Sequence, residues 1–349
     1  ALRARQGKVV RVPMACTVND IARAAGVSRS TVLRALSGKP DVSGETRDRI
    51  RALAADMRYR PNYIARSLTH GKTNLVGVIA KPSIYYASHS VIEAVERGLR
   101  HGGYATLLFI SGNESGTDES LVEQLMKNRV DGVIAVPGSM TPPATYHELV
   151  EAGVKLVILD GLIDDLAAPQ ITGDNYKAGR LGAEHLIQLG HRRIAYLGIP
   201  TISTVGRQRA RGVREAFEEA GVFVPDELFR EVTFNETAAE ECTAEILGLP
   251  ERPTALLVRH DVIARGAMRA VEAAGLAIPQ DISIVGNGDI LGSDMFRVPL
   301  TTVRFPARQM ADFCVHTLLK MLAGEDVEPE TAIFDVELVV RASTAPPRA

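Results

Sequence analysis

From Asn74 onward, apolar runs of strand length alternate with amphipathic stretches of helix length, and this alternation constrains the fold more than any other feature. Residues 75–80 read as a strand followed by a helix over 88–101, and 104–110 as a strand followed by a helix over 118–128. Strands over 132–136 and 155–160 complete a first series. A second begins after Asp174-Asn175, with helices predicted over 176–189, 206–220, 236–247 and 263–274, and strands over 193–197, 228–234, 254–258 and 282–285. Strands that are apolar throughout belong in parallel sheets covered by helices on both faces. The expected class is therefore α/β, with two such halves. The natural place for a small ligand is the cleft between them, at the carboxyl ends of the strands.

The chain ahead of that alternation is of a different kind. Residues 1–72 hold 15 Lys/Arg against 5 Asp/Glu, whereas the remainder hold 25 against 37. A basic head on an acidic body marks a small polyanion-binding module joined to something else, unless the head is merely a solvated tail. Hydrophobic patterning favours the module. Val18, Ile21, Ala22 and Ala25 fall at helical spacing, and Gly26 can take the left-handed conformation that ends a helix. Ser28 is a good N-cap for a second helix over 29–36, with Val27 and Val32 placed as a hydrophobic staple. Ser43 can cap a third over 44–58, burying Ile50, Leu53, Ala54 and Met57. Two short helices around a tight Gly-containing turn form a helix-turn-helix, whose second helix enters the DNA major groove. With Val32, Ala35 and Leu36 facing inward, Arg29, Ser30, Thr31 and Arg34 face out; arginine can grip guanine with two hydrogen bonds. The competing reading is a generic three-helix subdomain with an arginine-decorated surface.

The run Thr17-Val-Asn-Asp-Ile-Ala-Arg-Ala-Ala-Gly-Val-Ser-Arg-Ser-Thr-Val-Leu-Arg-Ala-Leu-Ser-Gly38 closely resembles the DNA-binding head of the LacI/GalR transcription regulators. Val42-Ser-Gly-Glu-Thr-Arg47 and Tyr59-Arg-Pro-Asn-Tyr-Ile-Ala-Arg-Ser-Leu68 continue the likeness. The resemblance implies DNA contacts from Thr17, Ser28, Arg29, Ser30, Thr31, Leu33, Arg34, Tyr59, Asn62, Ala65, Arg66 and Leu68. Leu33 departs from the pattern, standing where the family usually has Ser. In the family, paired hinge helices lie in the minor groove with a Leu wedged between base pairs, and Leu68 matches that Leu.

Landmarks of the same family recur along the body, among them Val130-Asp-Gly-Val-Ile134, Leu189-Gly-His-Arg-Arg-Ile-Ala195 and Leu338-Val-Val-Arg-Ala-Ser-Thr344. They imply a two-lobed body like the periplasmic sugar-binding proteins, with three chain crossings between lobes. The implied organisation is a basic tail (1–14), a helix-turn-helix domain (15–60), a hinge helix and linker (61–73) and a body (74–344). Lobe 1 is expected over about 74–160 and 304–330, lobe 2 over about 161–303 and 331–344. Residue-by-residue matching places the effector on Ser88, Asp160, Asp174, Ser203, Arg209, Leu257, Asp261 and Asp289. Arg209 suits a carboxylate, phosphate or hydroxyl pair, and the aspartates suit sugar hydroxyls. Two positions depart from the family. Its aromatic first cleft loop reads Ala87-Ser88 here, and its Gly-aromatic-Asp-Asp run reads Gly286-Asn-Gly-Asp289, one carboxylate short.

Catalysis finds little support. Gly286-Asn-Gly288-Asp-Ile-Leu-Gly292 misplaces the third glycine of a dinucleotide fingerprint, and Gly71-Lys72-Thr73 lacks the earlier glycine of a phosphate loop. No G-x-S-x-G elbow occurs, and Cys16, Cys242 and Cys314 have no metal-ligand spacing. No apolar run reaches about 18 residues. The expectation is a cytoplasmic, nucleoid-associated regulator, not an enzyme, with no cofactor, metal or membrane. Its expected partners are double-stranded operator DNA, a small-molecule effector and a second copy of itself.

Overall fold

The computed structural model describes residues 16–37, 41–59, 72–80, 89–111, 117–138, 142–198 and 203–348. Two compact units divide the chain after Thr73.

Among the described residues the first unit holds three helices, α1 (Val18–Ala25), α2 (Arg29–Leu36) and α3 (Gly44–Asp56). Thr17 and Asp20 form a reciprocal capping box at the start of α1. Ser28 and Ser43 accept from the backbone N–H groups of Thr31 and Thr46. Each cap satisfies a helix-end donor and contributes about 1 kcal/mol. Gly26, at φ 64°, closes α1 in the left-handed region and permits the sharp turn into Ser28. Ile21, Val32, Ala35 and Ile50 are fully buried where the three helices meet. The third helix ends at Asp56, two residues short of expectation; Met57 serves as its cap and Arg58 turns to positive φ.

The second unit holds two sheets. The first runs β11 (Thr331–Phe334), β5 (Gln170–Gly173), β4 (Lys155–Leu159), β3 (Gly132–Ala135), β1 (Leu75–Ala80), β2 (Ala105–Ile110), all parallel. The second runs β12 (Glu337–Val339), β10 (Thr301–Arg304), β9 (Ser283–Gly288), β8 (Ala255–Val258), β6 (Ile194–Gly198), β7 (Phe229–Glu231). Only its edge strand β12 runs antiparallel. Side chains alternate between faces. Val76 and Val78 of β1 join α4 (His89–His101) and α11 (Ala307–Ala323) on one face, while Ile79 joins α5 (Thr117–Lys127) and α6 (Ala144–Glu151) on the other. In the second sheet, α9 (Glu236–Leu247) and α10 (Asp261–Ala273) cover one face, and α7 (Asn175–Gln188) and α8 (Thr204–Glu219) the other.

Two lobe boundaries differ from expectation. β5 and β11 both belong to the first sheet, although residues 161–173 and 331–334 were expected in lobe 2. The reason is pairing: β5 extends the first sheet beside β4, and β11 then adds in register to β5, Thr331 opposite Gln170. The chain therefore crosses between sheets after Gly173, after Arg304 and after Phe334. These crossings meet. Asp174 N donates to Phe334 O, and a Cβ on Gly173 would stand 2.2 Å from the Phe305 ring.

Candidate nucleic-acid interface and effector cleft

On α2, Arg29, Ser30, Leu33 and Arg34 lie on the exposed side, while Val32 and Ala35 are buried. Leu33 is 46% exposed, an apolar side chain set among polar ones. Arg34 reaches Asp41 at 3.2 Å, with both side chains about half exposed, so this pair adds little to stability. Thr31 is half-buried and, like Ser30, shares hydrogen bonds with the Ser28 hydroxyl at the cap. Thr17 is likewise occupied at its own cap, where its hydroxyl and N–H hold the Asp20 carboxyl below its usual range. Tyr59 packs against the head core. Asn62, Ala65, Arg66 and Leu68, expected in the hinge, lie outside the described residues.

In the body, the helices that carry the cleft residues approach unusually closely. A Cβ on Gly179 would sit 2.2 Å from the Arg209 carbonyl, and one on Gly212 would sit 2.1 Å from the Tyr176 carbonyl. Glycine at both positions lets α7 and α8 touch backbone to backbone, which fixes where Arg209 stands. Its Nη2 donates to Asn175 Oδ1 at 2.5 Å and its Nη1 to the Arg259 carbonyl at 2.8 Å. The Phe305 ring, from the second crossing, lies 5.6 Å from its Cζ. Burial lowers the Arg209 pKa, opposed by Tyr196 and by Asp160 at the end of β4 in the first lobe.

Arg259 and Asn175 escaped the sequence reading. Arg259 directly follows β8, so it stands at the carboxyl end of a parallel strand, where ligands of such sheets bind. That position, a charge closing the apolar run Ala255-Leu-Leu-Val258, was the available signal. Burial and the neighbouring Arg209 bring its pKa down to about 10.

The expected aspartates are mostly committed elsewhere. Asp261 is fully buried, accepting from Thr302 Oγ1 at 2.6 Å and from Ile290 N at 2.9 Å; burial nevertheless pushes its pKa up to about 6. Gly286 is what admits that carboxylate, since a Cβ there would lie 2.2 Å from Oδ1. Asp289 accepts from Ser293, Arg304 and Arg341. Burial alone would raise its pKa, but those donors outweigh it and hold the carboxyl below its usual range. Asp174 caps α7 through Lys177 N. Ser203 precedes α8 without making a side-chain cap. Leu257 is a packing residue: strand alternation turns it into the α7 layer, where a Cβ on Gly182 would meet it at 2.6 Å. Ser88 lies outside the described residues, as does its neighbour Ala87. The lobes also touch directly, Asp164 of the β4–β5 loop accepting from Arg207 and Thr204 of α8.

Residues 17–62 match the bacterial regulatory proteins of the lacI family, and residues 183–344 match the periplasmic binding protein-like domain. The HTH-type transcriptional repressor PurR of Mannheimia succiniciproducens is 29% identical over 327 residues, covering 94% of this chain and 98% of that one. The chain is also similar to the crystal structure of the Lac repressor dimer bound to operator and the anti-inducer ONPF. That likeness has a TM-score of 0.82 at 29% identity and covers 95% of this chain and 99% of the other. The complex of the transcriptional regulator CelR with cellobiose matches with a TM-score of 0.69 at 26% identity, covering 94% and 99%. The chain carries a LacI-family helix-turn-helix domain and a periplasmic-binding-protein-like domain. It thus joins a helix-turn-helix head to a two-sheet body, as the resemblance implied. Among the described residues no helix is long and apolar enough to cross a membrane.

Proposed function

We propose that this chain is a ligand-responsive transcriptional regulator, acting as a repressor, that binds a pseudo-palindromic operator as a homodimer. The observation that carries the reading is the outward side of α2, where Arg29, Ser30, Leu33 and Arg34 stand above a helix-turn-helix core. Arg29 suits a guanine edge, and Leu33 suits a thymine methyl in the place of a more usual hydroxyl. Thr17, Ser28, Thr31 and Tyr59 flank that surface and suit phosphate contacts, which position the head without reading sequence. Asn62, Ala65, Arg66 and Leu68 would extend the contact through the hinge.

The body binds the effector between its lobes, with Asp160, Asp174, Ser203 and Arg209 from the sequence reading and Asn175 and Arg259 added. Three crossings beside the cleft, and the Asp164 contacts to α8, give an effector a way to bias the relative setting of the lobes. Leu291 and Met295 on the β9–β10 connection are 87% and 83% exposed, large apolar side chains suited to a second copy of the chain. Two-fold symmetry of the protein then matches that of the operator. The protein works on the nucleoid in the cytoplasm, as a binding protein and not as a catalyst.

A mobility-shift titration of the full chain on promoter DNA, repeated at rising salt, tests the reading. Affinity should fall linearly in log–log form, with the specific complex outlasting the non-specific one. Failure to retard any promoter fragment overturns it.

A further inference from the structure

An ionised side chain leaves water at a steep free-energy cost unless a counter-charge goes with it. Exposure of Arg209 and Arg259 is only 9% and 5%. Arg259 stands at the carboxyl end of β8, and Arg209, in the second turn of α8, is tied to it by the hydrogen bond from its Nη1 to the Arg259 carbonyl. Among the described residues no carboxylate forms an ion pair with either one. Arg209 has an amide oxygen and a carbonyl; Arg259 has the Phe234 ring, 5.2 Å from its Cζ. The Nε atoms of both arginines are buried without a hydrogen-bond partner, as is the Tyr196 hydroxyl, which lies in the field of the same two cations.

The available compensation is too small. An arginine over an aromatic face gains less than its desolvation costs. Asp160 acts on Arg209 only through its field, and Asp261 and Asp289 are taken up by hydroxyl, backbone and arginine donors of their own. A neutral sugar would bring hydroxyls to this place but no charge. The donors left over are the Nε–H groups of both arginines and the Tyr196 hydroxyl, a set that matches the oxygens of an anion.

We propose that Arg209 and Arg259 together form an anion receptor, and that the effector of this regulator carries a carboxylate or a phosphate group. The inference rests on the effector reading above and narrows it to a chemical class. Arg259 is the deciding residue: it adds the second buried charge, and with it the requirement for a ligand of opposite sign.

The test is thermal unfolding and titration calorimetry of the full chain with inorganic phosphate, malonate and ribose at millimolar concentration, ionic strength being held constant with chloride. Phosphate or malonate should raise the melting temperature while ribose leaves it unchanged, and whichever anion acts identifies the group. Arg259→Met should weaken that anion about thirtyfold or more. It should also leave the unliganded melting temperature equal or higher, because one of two like charges is gone. Arg259→Lys, which keeps the charge but loses the fork, should fall between the two and guards against a folding defect in the Met variant. Stabilisation by ribose alone, no response to either anion, or an undiminished response in Arg259→Met overturns the proposal. A mobility shift on promoter DNA with the same preparation separates the two readings. DNA binding that persists without any anion response leaves the regulator standing and removes this inference.

Discussion

The head holds Arg29 and Arg34 out in solvent on α2, whereas the body takes Arg209 and Arg259 almost wholly out of it. The same side chain serves two kinds of recognition. A solvated guanidinium costs the unbound fold nothing, attracts phosphates over the Debye length and loses strength as salt rises. A buried one destabilises the unbound fold, is screened little, and rewards only a ligand that arrives stripped of water with the right charge. Affinity for DNA and selectivity for a metabolite are thus assigned to different dielectric environments within one chain.

Deleting residues 1–73 should have the largest effect on that contrast. Sequence-specific retention of operator DNA should drop about a thousandfold or more in mobility-shift titrations. The circular dichroism and cooperative melting of the body should persist, since the division falls between two compact units. Retained operator selection by the trimmed chain would break the comparison.

Next in size, Gly212→Ala forces a Cβ against the Tyr176 carbonyl, where backbone rather than a flexible side chain must move. Urea denaturation should show the body destabilised by about 1–3 kcal/mol, with salt-dependent DNA binding by the head unchanged. Arg29→Ala is the mirror experiment. It should cost about 1–3 kcal/mol of operator affinity and relax selectivity at one base, while unfolding stability stays within about 0.5 kcal/mol.

The smallest effect concerns pH. His185, half-buried and bonded to Thr344, and His191, buried and bonded to Thr254 and the Ala345 carbonyl, have pKa values lowered from 6.5, first of all by burial. The unfolded chain therefore binds protons more readily. The stability they contribute is whole above about pH 6.5 and is lost as pH falls through their folded values. Asp261 works in the opposite sense, since its folded value of about 6 exceeds 3.8, so its contribution is present at low pH and lost as pH rises through about 6. A difference experiment isolates the histidine effect. His191→Asn should be less stable than the parent by up to about 1 kcal/mol at neutral pH, and the gap in melting temperature should narrow on acidification. A gap that widens would sink this account.

Local patterns were readable from the residues themselves. The caps Thr17, Ser28 and Ser43, the left-handed Gly26, and the apolar runs of β1, β3, β4 and β8 are settled within a few positions of chain, so their elements fell close to where the spacing put them. The exposed side of α2 followed from its period, and so did the alternation that makes two helix-covered sheets. β5, with a single apolar side chain in Gln170-Ile-Thr-Gly173, and β11, a four-residue edge strand that is only half-buried, gave no comparable signal, and which sheet each joins was a matter of pairing with strands elsewhere.

Charge state and availability belong to tertiary structure alone. Asp261 is saturated by Thr302, 41 residues away, and Asp289 by Arg341, 52 residues away. Arg209 is fixed by Asn175 and by the carbonyl of Arg259, across a helix contact that two glycines make possible. A sequence determines which side chains can ionise and which faces are apolar. Whether a given charge keeps its water or finds a partner is decided only when distant segments close around it, because desolvation and hydrogen bonding depend on what stands within a few ångströms, not on what stands nearby in the chain.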